Sequence, residues 1–216
     1  MLRKTLLASA AALVLVALSS AARAGTITLT GINGTGVTAT VTNYSLSGNT
    51  FTFTINNTSV APGTTGSITN IGFALPGDRP NNYTLVSSSN PNYVVVYDQN
   101  ATAGAQNLVS SFDLVLCDKN NTSTCNSFGG GSVNNGIAPG TSATFSISGD
   151  FSGLTADQIA RAIFARFQNV NPGGSDVAAN GGTPPPSVPE PTTMLLLGTG
   201  LAGVAGAARR RRKAQE

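Results

Sequence analysis

Residues 51–57 read Phe51-Thr52-Phe53-Thr54-Ile55-Asn56-Asn57, and this stretch decides the predicted fold. Apolar and polar side chains alternate at each step, with Phe and Ile on one side and threonine on the other. Because successive side chains of a strand point to opposite faces of a sheet, a period of two predicts a half-buried strand. The asparagines that end the run tolerate the backbone conformations of turns.

The same alternation recurs in both directions along the chain. It marks further strands near residues 27–29, 37–41, 71–75, 83–86, 112–116 and 143–147. Residues 93–97 are apolar on both faces, which suits a central strand or one covered by a loop. About nine short strands with frequent Gly and Asn turns predict a mainly β protein, an antiparallel β-sandwich of Greek-key or jelly-roll type.

Residues 155–170 are compatible with two structures. Thr155, with Gln158 three residues on, forms a capping-box pattern that is typical of a helix N-terminus. We predict one short helix at 155–161, followed by a closing strand at 162–170. Because Ile159, Ile163 and Phe167 would share one helical face, a single long helix remains the alternative.

The N-terminus has the three parts of a secretory signal. Arg3 and Lys4 precede an apolar run at 6–18, and Ala22-Arg23-Ala24 forms a small-x-small cleavage site before Gly25. We therefore predict a signal peptide at 1–24 that signal peptidase removes. This signal peptide is predicted to form an N-terminal signal helix. The alternative, an uncleaved membrane anchor, is disfavoured by the short apolar run and by the cleavage site that follows it.

The rest of the chain divides into three predicted segments: a β-sandwich ectodomain at 25–170, a Pro/Gly linker at 171–188 and a tail at 189–216. Pro189-Glu190-Pro191 opens the tail and an apolar run follows at 192–208. At 1.5 Å per residue a helix over this run is about 25 Å long, just enough to span a bilayer core, so we predict a C-terminal transmembrane helix. The basic residues after it form a membrane stop on the cytoplasmic side: Arg209, Arg210, Arg211, Arg212 and Lys213.

Cys117 and Cys125 are the two cysteines of the chain. In the oxidising compartment that an exported protein enters, we expect a disulfide that closes this small loop. Two free thiols are the alternative. A metal site is less favoured, because the chain has no histidine and no further cysteine to act as ligands.

The formal net charge of +3 arises at the two ends of the chain. Between Gly25 and Val188, four basic residues stand against seven aspartates, which gives −3. The basic residues are Arg79, Lys119, Arg161 and Arg166; the aspartates are Asp78, Asp98, Asp113, Asp118, Asp150, Asp157 and Asp176. A basic stripe for phosphate contacts is absent from this sequence, so we exclude nucleic acid as a partner.

Catalysis is not expected from this composition. A chain without histidine has no Ser-His-Asp or Cys-His system and no usual zinc site. We treat the aspartates as solvated turn residues and predict no cofactor and no metal, with structural calcium at 98–100 or 118–120 as a weaker alternative. Hydrolysis by a pair of aspartate carboxylates is a still weaker alternative than structural calcium.

The order Pro189-Glu190-Pro191, apolar helix and terminal arginines resembles the PEP-CTERM sorting signal of Gram-negative bacteria, and the resemblance covers about the last 28 residues. It implies recognition and cleavage near the Pro-Glu-Pro motif by an exosortase, an integral-membrane cysteine protease. It also implies residence in the inner membrane before processing, then release to the cell surface or extracellular matrix.

We therefore predict a non-catalytic exported surface or matrix protein that is associated with exopolysaccharide or biofilm. The alternative function is a carbohydrate-binding module with a defined glycan ligand. Lectin-like sandwiches stack sugars on aromatic side chains, yet this chain has no Trp, and its tyrosines are Tyr44, Tyr83, Tyr93 and Tyr97. We expect Tyr93 and Tyr97 to serve core or edge packing.

Overall fold

The structure is a computed structural model. It describes residues 25–181, apart from 78, 81, 101–104, 106–107, 121, 126 and 130. The predicted signal peptide, residues 182–188 of the predicted linker and the whole tail lie outside the described residues. Within the described part of the chain, no helix has the length and apolar character needed to cross a membrane.

Ten strands and two short helices make up the described fold. The strands are β1 (Ile27–Gly31), β2 (Thr38–Ser47), β3 (Thr50–Asn57), β4 (Thr65–Phe73), β5 (Thr84–Ser88), β6 (Tyr93–Asn100), β7 (Ser111–Asp118), β8 (Ser142–Ser148), β9 (Ile163–Asn171) and β10 (Gly174–Asn180). The helices are α1 (Thr122–Cys125) and α2 (Ala156–Arg161), and a 3-10 turn covers Val133–Asn135.

All ten strands belong to one antiparallel sheet with the order β5-β8-β3-β2-β1-β10-β9-β4-β7-β6. The sheet coils until its edge strands β5 and β6 approach each other, which makes it nearly barrel-shaped. The predicted mainly β, antiparallel class is confirmed. The structure differs from the predicted sandwich in having one continuous sheet, whose two halves face each other across the core, in place of two separate sheets.

Strand β10 creates this continuity, and it lies in the segment predicted as a linker at 171–188. That prediction is wrong for residues 174–180, and the predicted domain boundary at 170 is too early. β10 pairs with β9 on one side and with β1 on the other, so it joins the two halves of the sheet. Gly173 and Gly174, with φ of +126° and +78°, make the tight turn from β9 into β10, because glycine has no Cβ to clash. The Pro-Gly-Gly run is therefore a hairpin turn.

The main core lies between the two halves of the sheet. The alternation in residues 51–57 is confirmed, because Phe51, Phe53 and Ile55 are fully buried while the intervening threonines are half-exposed. The ring of Phe53 lies 5.5 Å from that of Phe145 on the neighbouring strand and 5.6 Å from that of Phe73 on β4, across the core. Burial of each such side chain contributes about 1.5–3 kcal/mol to folding.

A second apolar layer covers the outer side of one half of the sheet. Phe112, Phe128 and Phe164 form its centre, with ring centroids 4.5 and 5.3 Å from Phe112. The buried disulfide between Cys117 and Cys125 belongs to this layer. Val94 and Val96 of β6 pack against it, so β6 is apolar on both faces although it is an edge strand.

The segment at 155–170 forms a short helix and then a strand, as predicted, and the single long helix is wrong. Thr155 accepts a hydrogen bond from the backbone N–H of Gln158, and the Gln158 side chain accepts one from the Thr155 N–H. This capping box starts α2. The chain then leaves the helix because β9 gains ladder pairing with both β4 and β10.

Candidate functional site

The outer side of the other half of the sheet carries a continuous surface of hydroxyl and amide groups, which we call the hydroxyl face. It consists of the outward-pointing positions of β1, β2, β3, β8 and β5. These are Thr28 and Thr30; Thr38, Thr40, Thr42, Ser45 and Ser47; Thr50, Thr52, Thr54 and Asn56; Ser142, Thr144, Ser146 and Ser148; and Thr84 and Ser87. All of them are exposed or half-exposed.

The strand registers align these side chains in rows across the sheet. One row runs Thr42, Thr54 and Thr144, and another runs Thr52 and Ser146 between β3 and β8. The hydroxyl oxygens of Thr54 and Thr144 lie 2.9 Å apart, as do those of Thr52 and Ser146. Each hydroxyl can donate one hydrogen bond and accept two, so a paired hydroxyl keeps capacity for a ligand.

No Asp, Glu, Lys or Arg occupies any position of the hydroxyl face. Asn56 extends the face, because its Nδ2 donates to Thr40 Oγ1 at 3.2 Å and to Thr42 Oγ1 at 3.1 Å. At Asn56 and Ser142 the surface has an open depression of about 610 Å³, and the exposed Val60 is among its lining residues. This surface is therefore polar, neutral and rich in both donors and acceptors.

The tyrosines do not provide a sugar-stacking surface on this face. Tyr44, Tyr83 and Tyr93 are buried, while Tyr97 is 42 % exposed on β6, in the other half of the sheet. Burial raises the pKa of Tyr83 to about 12, helped by the nearby Asp113, and burial likewise raises the pKa of Tyr93. Tyr93 donates to the backbone oxygen of Ile68 at 2.7 Å, which confirms its predicted packing role.

Two aspartates are buried, so the prediction that these residues are solvated turn positions is wrong for them. Asp176 on β10 is fully buried and accepts hydrogen bonds from Asn33 N at 3.2 Å, Asn33 Nδ2 at 2.8 Å and Thr35 Oγ1 at 2.5 Å. It thereby ties the β1–β2 loop to the strand that closes the sheet.

Asp118 is held in a similar way at the end of β7. Its Oδ1 accepts from Asn120 N at 3.0 Å, and its Oδ2 accepts from Asn135 Nδ2 at 2.8 Å and from Ser132 N at 3.3 Å. Burial acts to raise the pKa of Asp118, but these hydrogen bonds outweigh it and hold the pKa below its ordinary value. The N–H donors at both oxygens thus hold the Asp118 carboxylate in place between β7 and the 3-10 turn.

A buried polar pair lies beneath the second apolar layer. Asn70 on β4 is fully buried, and neither its Oδ1 nor its Nδ2 has a hydrogen-bond partner. Opposite it on β9, Arg166 donates from Nη2 to Ser175 Oγ at 3.0 Å. Burial lowers the pKa of Arg166, and the negative charge of Asp176 partly opposes that shift.

The predicted site residues fall into two groups. Cys117 and Cys125 form the predicted disulfide, with Cα atoms 6.1 Å apart. Gly25 lies just before Thr26 and the start of β1 at Ile27. The cleavage-site residues Ala22 and Ala24, the motif Pro189-Glu190-Pro191 and the basic residues 209–213 lie outside the described residues. Among the described residues, no cluster of three or more His, Cys, Asp or Glu side chains could hold a metal ion.

Sequence reasoning identified the threonine alternation but did not identify the hydroxyl face. The available signal was the complete absence of charge at the polar positions of β2, β3 and β8. Its significance depends on the strand registers, which place those positions side by side.

Comparison with known proteins identifies the tail. Residues 187–212 match the family model described as the PEP-CTERM protein-sorting motif. No curated protein and no solved structure matches the chain. The matched segment contains the Pro-Glu-Pro motif, the apolar run and the arginines, so the resemblance drawn from the sequence is confirmed. The motif implies an exported protein that is anchored in the membrane before exosortase cleavage and then reaches the surface. The chain thus carries a PEP-CTERM protein-sorting motif at residues 187–212, which indicates a sorted protein that an exosortase targets.

Proposed function

We propose that the protein is a non-catalytic component of the cell surface or extracellular matrix of a Gram-negative bacterium, where it associates with exopolysaccharide in a biofilm. The match of residues 187–212 to the sorting motif carries this proposal. Signal peptidase removes residues 1–24, the inner membrane holds the chain through residues 192–208, and the exosortase then releases it. The basic residues 209–213 keep the C-terminus on the cytoplasmic side until that step.

The composition of the body supports a non-catalytic role. The chain has no histidine, so the common nucleophile and zinc systems have no residue to act as base or ligand. Two of the seven aspartates, Asp118 and Asp176, hold loops in place through N–H and hydroxyl donors.

Deletion of the exosortase tests the sorting step. In the deletion strain we expect a form of higher mass that stays with the inner membrane. The triple variant Pro189→Ala/Glu190→Ala/Pro191→Ala should reproduce this result in the wild-type strain, while Thr183→Ala, just outside the matched segment, serves as a neighbouring control. Unchanged mass and release in the deletion strain would refute exosortase processing.

Enzymatic digestion of the extracellular polysaccharide tests the matrix association. We expect digestion to move the processed protein from the cell-associated fraction to the medium. Protein that is equally free in the medium before and after digestion would contradict the association with polysaccharide.

A carbohydrate-binding module with a defined glycan ligand is the second candidate. The depression of about 610 Å³ favours it, because polar Asn56, Thr141 and Ser142 line it together with the apolar Val60, and ligand sites combine polar and apolar groups in this way. Titration of the purified full chain with mono- and oligosaccharides tests this function, and an absence of saturable binding at millimolar sugar refutes it.

A further inference from the structure

The two outer sides of the sheet differ in their chemistry. The half formed by β10, β9, β4, β7 and β6 is covered by the second apolar layer, whereas the hydroxyl face of the other half bears no covering segment within the described chain. The hydroxyl face carries no charged residue, and the eleven formal charges of the body, four basic and seven acidic, all lie elsewhere.

We infer that the hydroxyl face binds a neutral polysaccharide chain, laid across the strands. This inference rests on the proposed association with extracellular polysaccharide, and it specifies the surface and the class of polymer. Sugar hydroxyls both donate and accept hydrogen bonds, as do the Thr and Ser side chains that they would meet. The threonine methyl groups offer apolar contact to the C–H groups of the sugar rings.

The absence of charge selects this occupant over others. An acidic polysaccharide or a nucleic acid would require Lys or Arg to pair with its anionic groups. A second protein would require a central apolar or aromatic patch. The positions of the hydroxyl face are Thr, Ser and Asn, and the one large apolar side chain exposed on these five strands is Val86, which is 59 % exposed at the bulge of the edge strand β5. A neutral polymer of hydroxyl groups is the class whose chemistry complements this surface.

The geometry also predicts how affinity depends on the length of the polymer. Adjacent strands are about 4.8 Å apart, so a chain crossing the strands meets a new hydroxyl at each step. Each hydrogen bond contributes little net free energy, because it replaces a bond to water. Single sugars should therefore bind weakly. A long polysaccharide chain should bind well, because once its first sugar is bound, the following sugars contact the face within the same complex.

Affinity electrophoresis of the purified full chain in mild detergent tests this inference. The gels contain hydroxyethyl cellulose, dextran, laminarin or the neutral polysaccharide fraction of the host as neutral polymers, and alginate as the acidic polymer. We expect retardation by at least one neutral polymer, no retardation by alginate, and no competition by millimolar monosaccharide. Absence of retardation by every neutral polymer, or stronger retardation by alginate, overturns the inference.

A pair of isosteric variants locates the contact. Thr54→Val/Thr144→Val removes two facing hydroxyls that bond each other at 2.9 Å, so no buried partner is left unpaired. We expect its affinity to fall about tenfold, the effect of one or two net hydrogen bonds. Thr65→Val/Thr122→Val, which makes the same change away from the hydroxyl face, should bind as the parent chain does. Thermal unfolding of both variants verifies that they are folded, and equal affinity of the two double variants overturns the assignment of this face.

The same variants separate this inference from the proposed function. If Thr54→Val/Thr144→Val remains in the matrix and is still released by polysaccharide digestion, the hydroxyl face is not the contact while the proposed function stands. If exosortase deletion and digestion leave the parent chain unaffected, the proposed function itself fails.

Discussion

Replacement of Asp176 by Ala tests the network that ties the β1–β2 loop to β10. The carboxylate is fully buried and accepts hydrogen bonds from two groups of Asn33 and from Thr35. Loss of two to three hydrogen bonds to a charged group, at about 1.5–3 kcal/mol each, should lower the free energy of unfolding by about 4 kcal/mol. That is a large share of the roughly 5–15 kcal/mol by which a domain is stable.

Urea unfolding of the full chain, followed by circular dichroism with the disulfide intact, measures this effect. With a slope of about 2 kcal/mol per molar urea, the midpoint of Asp176→Ala should fall by about 2 M while the slope stays unchanged. Asp176→Asn, which keeps the shape of the side chain, should lose less.

Asp150→Ala is the matched control, because its carboxylate interacts with the adjacent Ser152 and lies close to Arg79 at the protein surface. It should shift the midpoint much less than Asp176→Ala does. If Asp176→Ala unfolds at the same urea concentration as the parent chain, the buried network does not contribute to stability and the reasoning is refuted.

Three further predictions concern the closure of the sheet and its buried polar groups. A chain that ends after Gly181 should keep the circular-dichroism spectrum of a β protein. A chain that ends after Val170, the boundary predicted from sequence, should lose this spectrum, because β1 and β9 lose the strand that pairs with both. Equal spectra of the two chains would contradict the role of β10. The hydrogen bonds of Asp118 stabilise the fold above its ordinary pKa of 3.8, and this stability is lost as the pH falls through the lower pKa of the folded state. Acid titration of Asp118→Asn should therefore show a shallower loss, and a curve of unchanged steepness would count against this pKa shift. Asn70→Val removes two unpaired buried atoms and should raise the free energy of unfolding by about 1–3 kcal/mol in urea; a lower stability would show that the amide has a favourable role.

The elements of this fold that sequence reasoning predicted correctly are those with a local cause. Phe51, Phe53 and Ile55 alternate with threonine, so their strand and its buried face follow from geometry within eight residues. The start of α2 follows from Thr155 and Gln158, which bond each other three residues apart.

The elements that were missed have distant causes. Residues 174–180 carry small side chains and a buried Asp176, so no local pattern marks them as a strand. They form one because β9 pairs with them through the hairpin turn at Gly173 and Gly174, and because β1 pairs on the other side from the start of the described chain, a partner that no local pattern reports. Asp176 itself is satisfied by Asn33 and Thr35, far upstream in the chain.

The sequence alone determined the β class, the disulfide pair and the sorting signal, because strand periodicity, the presence of two cysteines and a contiguous motif are all local properties. Only the tertiary structure decided that one sheet coils upon itself, that β10 joins its halves, and that the uncharged positions of five strands form a single hydroxyl face. Strand order and register determine all three, and they depend on which backbone groups meet after the chain has folded.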